Sequence, residues 1–248
     1  MCPENTELSR LAEMISAGNN IVFFGGAGVS TESNIPDFRS ETGIYRTESG
    51  NSYPPEEMLS HSFFMTHTQE FFSFYKSKMI FRDARPNPAH YALAELERKG
   101  RLKAVITQNI DGLHQLAGSK EVVELHGSVH RNYCIKCYKK FDLDYVFNSS
   151  STVPVCDKCS GIVRPDVVLY EENLDNDIIM KTVNYISSAD VLIIGGTSLV
   201  VYPAAGLIKY YNGNKLAIIN TQPTQYDYKA NVVIKEKIGT ALSKVIID

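Results

Sequence analysis

The chain has 248 residues, 44% of them apolar and 21% charged, with a formal net charge of -3; this is the balance of a folded protein with a substantial core, and it excludes a disordered chain. No apolar run approaches the roughly 18 residues of a membrane helix. The near-neutral charge gives no electrostatic reason to coat a nucleic acid or a membrane surface, and neither partner is expected. Met1–Arg10 carries acidic residues where the basic region of a leader would stand, so a cytoplasmic location is expected.

Apolar residues at Leu8, Leu11, Ala12 and Ile15, closed by Gly18, predict a first helix. Ile21–Phe24 then reads as a strand covered on both faces, because it is a short unbroken apolar run bounded by polar and glycine residues. Residues 40–85 are irregular and rich in aromatics (Phe63, Phe64, Phe71, Phe72, Phe74, Tyr75), which predicts a helical module whose rings form core. A helix is expected over Ala89–Lys99, closed by Gly100, and weaker strands over Ala104–Thr107 and Val122–Leu125. The stretch 128–166 holds four cysteines and the serine-rich run 148–152, expected to be a surface loop. Beyond it come a helix over Asp177–Ile186 and strands over Val191–Ile194 and Leu216–Asn220. Strands alternating with helices imply an α/β fold with an open parallel sheet. The expected division is a sheet domain of residues 1–39, 86–127 and 167–248, with a helical module (40–85) and a cysteine module (128–166) inserted.

Of the five cysteines, Cys2 stands alone and has no assigned role. Cys134 and Cys137 form one C-x2-C pair, and Cys156 and Cys159 a second. Two such knuckles close a four-thiolate tetrahedron that leaves no position for substrate, so a structural zinc ion is expected. A thioredoxin-like redox pair would account for one motif and leave the other idle.

The first strand runs into Gly25-Gly26-Ala27-Gly28, where small residues let backbone N–H groups and a helix N-terminus approach a phosphate. The dinucleotide fingerprint is incomplete, because Thr31 occupies its third glycine position and the acidic residue expected about 20 residues on is missing. A second glycine turn, Gly195-Gly196-Thr197-Ser198, follows another buried strand, and Asn220 ends a third. Polar and glycine residues at three strand ends point to a nucleotide site there.

Gly26–Ser30 with Ile35–Arg39, Thr107–His114, His126-Gly127, the two cysteine pairs, Gly196–Leu199 with Pro203–Ala205, and Asn220 together resemble, in order and interval, the sirtuin NAD-dependent protein deacylases. The resemblance implies a Rossmann-type domain carrying helical and zinc modules, with NAD as cosubstrate and acylated lysine of a protein or peptide as the acyl donor. It places Gly26, Ala27, Gly28, Thr31, Phe38 and Arg39 in the NAD pocket, with Phe38 and Arg39 on a loop that orders over the cofactor. Gln108, Asn109, Ile110 and Asp111 fall around the nicotinamide and its ribose, and Gly196, Thr197, Ser198, Asn220 and Ile238 around the phosphates and adenosine. The resemblance assigns catalysis to Asn109, Asp111 and His126, the last as a base toward a ribose hydroxyl while touching the cofactor. His114 is assigned to packing or to support of the site residues beside it.

Val167, Val168, Leu169 and Tyr170 are expected to pair with the peptide, and Tyr75 to meet the acyl group. Two departures mark this chain: Tyr170 and Glu171 stand where the family pattern has Phe-Gly, and Asn34 replaces a glycine, a position where Asn tolerates positive φ. Family members that favour succinyl or malonyl lysine resemble one another in a Tyr-x-x-Arg pair; here Tyr75 is followed by Lys78, which lacks the planar fork for a carboxylate. Acetyl and other uncharged acyl groups are therefore expected. Two alternatives stand beside this one: a sirtuin-like protein ADP-ribosyltransferase, and a non-catalytic zinc-ribbon protein that binds nucleotide or nucleic acid through the lysines near the cysteines.

Overall fold

The computed structural model describes residues 6–40, 43–47 and 53–246, so Cys2 lies outside the described residues. In chain order the strands are β1 (Ile21–Gly25), β2 (Leu102–Thr107), β3 (Val122–Glu124), β4 (Gly127–Cys134), β5 (Lys140–Phe141), β6 (Val163–Val167), β7 (Val191–Gly195), β8 (Leu216–Ile219) and β9 (Val232–Ile234). Six of these form a parallel sheet in the order β3-β2-β1-β7-β8-β9, and the other three an antiparallel sheet in the order β5-β4-β6. The large sheet has the strand order of a Rossmann core, whose direction of winding switches between β1 and β7; ligands gather outside the carboxyl ends of strands at such a switch. Register brings those ends level, with Gly25 opposite both Thr107 and Gly195, Thr107 opposite Glu124, and Gly195 opposite Ile219.

The helices are α1 (Thr6–Ala17), α2 (Ile44–Thr47), α3 (Pro55–Met58), α4 (His61–Thr66), α5 (Thr68–Lys78), α6 (Pro88–Arg98), α7 (Leu113–Leu116), α8 (Leu143–Phe147), α9 (Asn176–Ser188) and α10 (Ile238–Ile246). Their starts are set locally where sequence allows it. The Asn87 side chain accepts the Ala89 N–H at 2.9 Å with Pro88 opening α6, and Asp175 accepts the N–H groups of Asp177 and Ile178 at 2.8 and 3.0 Å to open α9.

Alternation along the strands divides the core. Ile21, Phe23 and Ile193 pack with residues of α1, α6 and α10 on one face, while Val22, Phe24 and Ile194 pack with Ile186 of α9 and Leu207 on the other. Both faces are covered, which is why these strands are apolar without interruption. A third cluster joins Phe64, Phe71, Phe72 and Tyr75 to Val129, Val146, Val163 and Leu169. The aromatics between 40 and 85 are thus core, as expected, and the core they form is shared with the strands and helix around the cysteines. The run 148–152 has no helix or strand.

The turn after β1 departs from the expectation of a helix N-terminus. Two 3-10 turns, Ala27–Val29 and Thr31–Ser33, follow the glycines, and Asn34 ends the second in a left-handed conformation (φ 62°). The N–H groups of Gly26, Gly28, Val29 and Ser30 are donated within this turn or to the Gly195–Gly196 turn, and no long helix dipole stands behind it. Among the described residues no helix is long and apolar enough to cross a membrane.

Candidate functional site

A cavity of about 1220 Å³ opens over the carboxyl ends of the parallel strands. This exceeds the range of about 300–1,000 Å³ usual for a single small ligand. Every residue assigned above to NAD, to the acyl-lysine or to catalysis lines it, from Gly26 through Tyr75, Asn109, His126 and Tyr170 to Ile238. None of the four paired cysteines does.

The two glycine turns hold each other. Gly28 N–H donates to the Gly196 carbonyl at 2.8 Å, and Gly26 N–H to the Gly195 carbonyl at 3.3 Å. A Cβ on Gly28 would sit 2.8 Å from the Gly196 Cα, and one on Gly196 (φ 59°) would run into Val29 N. Small residues are needed here first so that two strand ends can close on one another, and the same contact leaves a bare backbone cradle facing the cavity. Thr31 Oγ1 donates to the Gly28 carbonyl at 3.0 Å, filling the place where a third glycine was sought.

Behind β2, Ser30 gathers the polar groups. Its hydroxyl donates to Asp111 Oδ2 at 2.6 Å and accepts from Asn109 Nδ2 at 3.0 Å, while Asp111 Oδ1 accepts the Leu113 N–H at 2.9 Å. Burial pushes the Asp111 carboxyl up from its ordinary value, opposed by its hydrogen bonds from Ser30 and Leu113. Sequence reasoning placed Ser30 in a motif and gave it no role; its burial and position between Asn109 and Asp111 appear only in three dimensions. His130 was likewise unassigned, and its Nε2 donates to the Asp111 carbonyl at 3.0 Å. His114 is buried among core, with its ring 4.7 Å from that of His90.

His126 sits at the end of β3 with Nδ1 3.0 Å from the Gln108 carbonyl. A carbonyl only accepts, so Nδ1 carries the proton and Nε2 keeps its lone pair. Desolvation lowers the His126 pKa, against that same hydrogen bond, and the neutral form prevails at pH 7.

Val167–Tyr170 differs from the extended edge expected for the peptide. Strand β6 stops at Val167, and the next N–H groups are already donated: Val168 to the His126 carbonyl at 3.0 Å, Leu169 to Glu172 Oε2 at 2.9 Å, Tyr170 to the Leu59 carbonyl at 3.0 Å. Burial works against the Glu172 charge, yet Arg164 at 2.7 Å, the Leu169 N–H and His61 hold its pKa at about 2. Glu171 adopts φ 74° where glycine was expected, and its carboxylate accepts from Ser62 N–H at 2.9 Å and Ser62 Oγ at 2.6 Å. These bonds offset the steric cost of a left-handed residue.

The cysteine knuckles repeat one geometry. Tyr138 N–H donates to the Cys134 carbonyl and Ser160 N–H to the Cys156 carbonyl, both at 2.9 Å, and both residues are left-handed at φ 59° and 57°. The amides of Lys136 and Lys158 each point at a sulfur from 3.4 Å. All four Sγ atoms lie within 4.8 Å of one another, and the pairs Cys134–Cys159 and Cys137–Cys156 are 3.5 and 3.7 Å apart. Such edges fit a tetrahedron of thiolates around zinc at about 2.3 Å.

A family model described as the Sir2 family matches residues 26–203, more than half of the chain. The chain belongs to the Sir2 family. This sirtuin is 64% identical over 240 residues to the NAD-dependent protein deacetylase of Clostridium acetobutylicum, covering 97% of this chain and 98% of the relative. It is 43% identical to the NAD-dependent protein deacetylase of Fusobacterium nucleatum, covering 97% and 91% of the two chains. Among solved structures it is similar to a complex of Sir2 with a p53 peptide and NAD+ (40% identity, TM-score 0.85, 97% of each chain). A Sir2 enzyme bound to a propionylated peptide is equally close in fold (39% identity, TM-score 0.85, 97% of each chain).

Proposed function

We propose that this sirtuin is an NAD-dependent protein lysine deacetylase, releasing nicotinamide and O-acetyl-ADP-ribose and leaving free lysine on the protein. The observation that carries this is His126, held through Nδ1 with a basic Nε2 in the same cavity as the Ser30-Asn109-Asp111 cluster and the glycine cradle. When bound, NAD supplies a ribose carbon that takes the acyl oxygen as nicotinamide leaves.

The residues present fit that cosubstrate. The bare turns at Gly26–Gly28 and Gly196 admit a pyrophosphate, and Ser198 and Asn220 stand at neighbouring strand ends to meet phosphate and ribose. Asp111 and the Ile110 backbone orient the carboxamide. The Asn109 amide and Asp111 carboxylate, fixed through Ser30, are preorganised where positive charge develops. His126 accepts the proton of a ribose hydroxyl at Nε2, and the imidazolium so formed is held and stabilised by its Nδ1–H bond to the Gln108 carbonyl. Incoming peptide meets a stretch whose backbone is already committed at the amides of Val168, Leu169 and Tyr170 and at the carbonyls of Val167, Leu169 and Tyr170, so side-chain contacts carry more of its recognition than a full strand ladder would. A cytoplasmic location goes with this reading, since four clustered thiols at zinc spacing suit a reducing compartment.

Two outcomes test this site. His126 must be neutral to act, and its pKa is depressed, so kcat is expected to hold down to about pH 6.5, the ordinary histidine value, and to fall only below it. A pH–rate profile with its acid midpoint above pH 7 contradicts the assignment. The Tyr75 hydroxyl is buried, has no partner among the described residues and lines the cavity together with Lys78. A neutral acyl group fits this wall, and matched acetyl- and succinyl-lysine peptides are expected to differ at least about tenfold in kcat/KM, the worth of one unmatched charged contact. Equal turnover of the two peptides removes the stated preference.

A further inference from the structure

Tyr45 and Tyr170 meet across the cavity wall with their hydroxyls 2.5 Å apart. Each is tied to a different structure. Tyr45 closes the segment that follows the first glycine turn: its N–H donates to the Phe38 carbonyl at 3.0 Å, and the Ile44 N–H to the Asp37 carbonyl at 2.8 Å. Its ring lies 5.4 Å from that of Phe38 and 5.4 Å from the Arg39 guanidinium carbon. Tyr45 is therefore tied to the two residues proposed to cover the cofactor.

Tyr170 is fixed elsewhere. Its backbone bridges to Ser60, donating to Leu59 and accepting from the His61 N–H at 3.0 Å. The left-handed Glu171 beside it grips the Ser62 N–H and hydroxyl at the start of α4. A phenylalanine at this position could hold the same backbone bonds and the same ring, but it could not reach Tyr45 with a hydrogen bond. Burial and the Tyr170 bond both push the Tyr45 hydroxyl pKa up, so Tyr45 stays protonated over the working pH range.

We propose that Tyr170 is a positioning residue whose hydroxyl, through Tyr45, latches the Asp37–Arg39 stretch assigned to the cofactor to the 167–172 acyl-lysine segment, so that seating one substrate favours the wall for the other. The latch rests on the assignment of Phe38 and Arg39 to NAD. Coupling of this kind is reciprocal: if peptide tightens NAD, NAD tightens peptide by the same factor.

Steady-state kinetics of Y170F, Y45F, the double variant and Phe38→Ala test it, with thermal melting as the check on folding. Loss of one hydrogen bond is expected to raise KM for NAD about 2- to 10-fold in each single tyrosine variant, and KM for acetyl-peptide with it. The kcat is expected to fall by less than KM rises, and the double variant to be no worse than either single, since all three lack the same bond. Wild-type KM values in Y170F with a raised KM for NAD in Phe38→Ala overturn the latch alone. Multiplying effects in the double variant also overturn it. Wild-type KM for NAD in both Phe38→Ala and Y170F removes the cofactor-loop assignment and the latch with it.

Discussion

His126→Ala is expected to lower deacetylation by about 10²- to 10⁴-fold, the range over which a positioned general base acts. NAD binding and thermal stability are expected to stay close to wild type. The imidazole is half-buried at the end of a short strand and makes one hydrogen bond, to a backbone carbonyl. Its removal frees the Gln108 carbonyl toward a cavity large enough to admit water. The glycine cradle, the Ser30 cluster and Asn220 are untouched. Mass spectrometry of an acetylated peptide measures the first quantity, and calorimetric titration with NAD the second. Turnover within about fivefold of wild type, far inside the range for losing a base, would show that another group takes the proton. Loss of NAD binding together with turnover, at an unchanged melting temperature, would instead make His126 first a cofactor contact.

Cys137→Ser is expected to act on the fold and only through it on catalysis. Three thiolates and a hydroxyl hold zinc far less well than four thiolates, and structural zinc sites in small peptides are worth on the order of 10 kcal/mol of apparent binding energy. A domain has about 5–15 kcal/mol to lose. Cys134 and Cys156 belong to the same buried cluster as Phe64, Phe71, Phe72 and Tyr75, so disorder at the knuckles reaches the residues that line the acyl end of the cavity. Zinc content by elemental analysis, melting temperature and activity are expected to fall together, and strong chelation of the wild type to reproduce the pattern. A folded, fully active, zinc-free variant would refute the structural role.

Much of this molecule is visible in its sequence because the relevant signals are local. Ile21–Gly25 and Val191–Gly195 are continuous apolar runs ended by glycine, and Gly100, left-handed at φ 74°, closes α6 just past its last turn. The cysteine pairs state their geometry in their spacing. What escaped has partners far along the chain. Strand β9 is three residues long, too short for any period to register, and α10 has its Gly239 N–H capped by the carboxylate of Glu32 at 2.7 Å, 207 residues away. The Val167–Tyr170 stretch has a β-like sequence, yet its amides are claimed by His126, Glu172 and Leu59. Ser30 is one serine among many until folding places it between Asn109 and Asp111. Motif resemblance brought the site residues together in sequence before geometry did, and the pair Tyr45–Tyr170 is visible only in the structure.

The mutual contact of Gly28 and Gly196 also limits how this protein can be engineered. Both turns are already reduced to hydrogen at the point of closest approach, so neither has a smaller partner residue available to compensate for growth in the other. A library aimed at altered cofactor choice would lose most of its members if these positions were randomised. Diversity is better placed at Ser198 and Asn220, which line the same cavity without forming the seam between the strands.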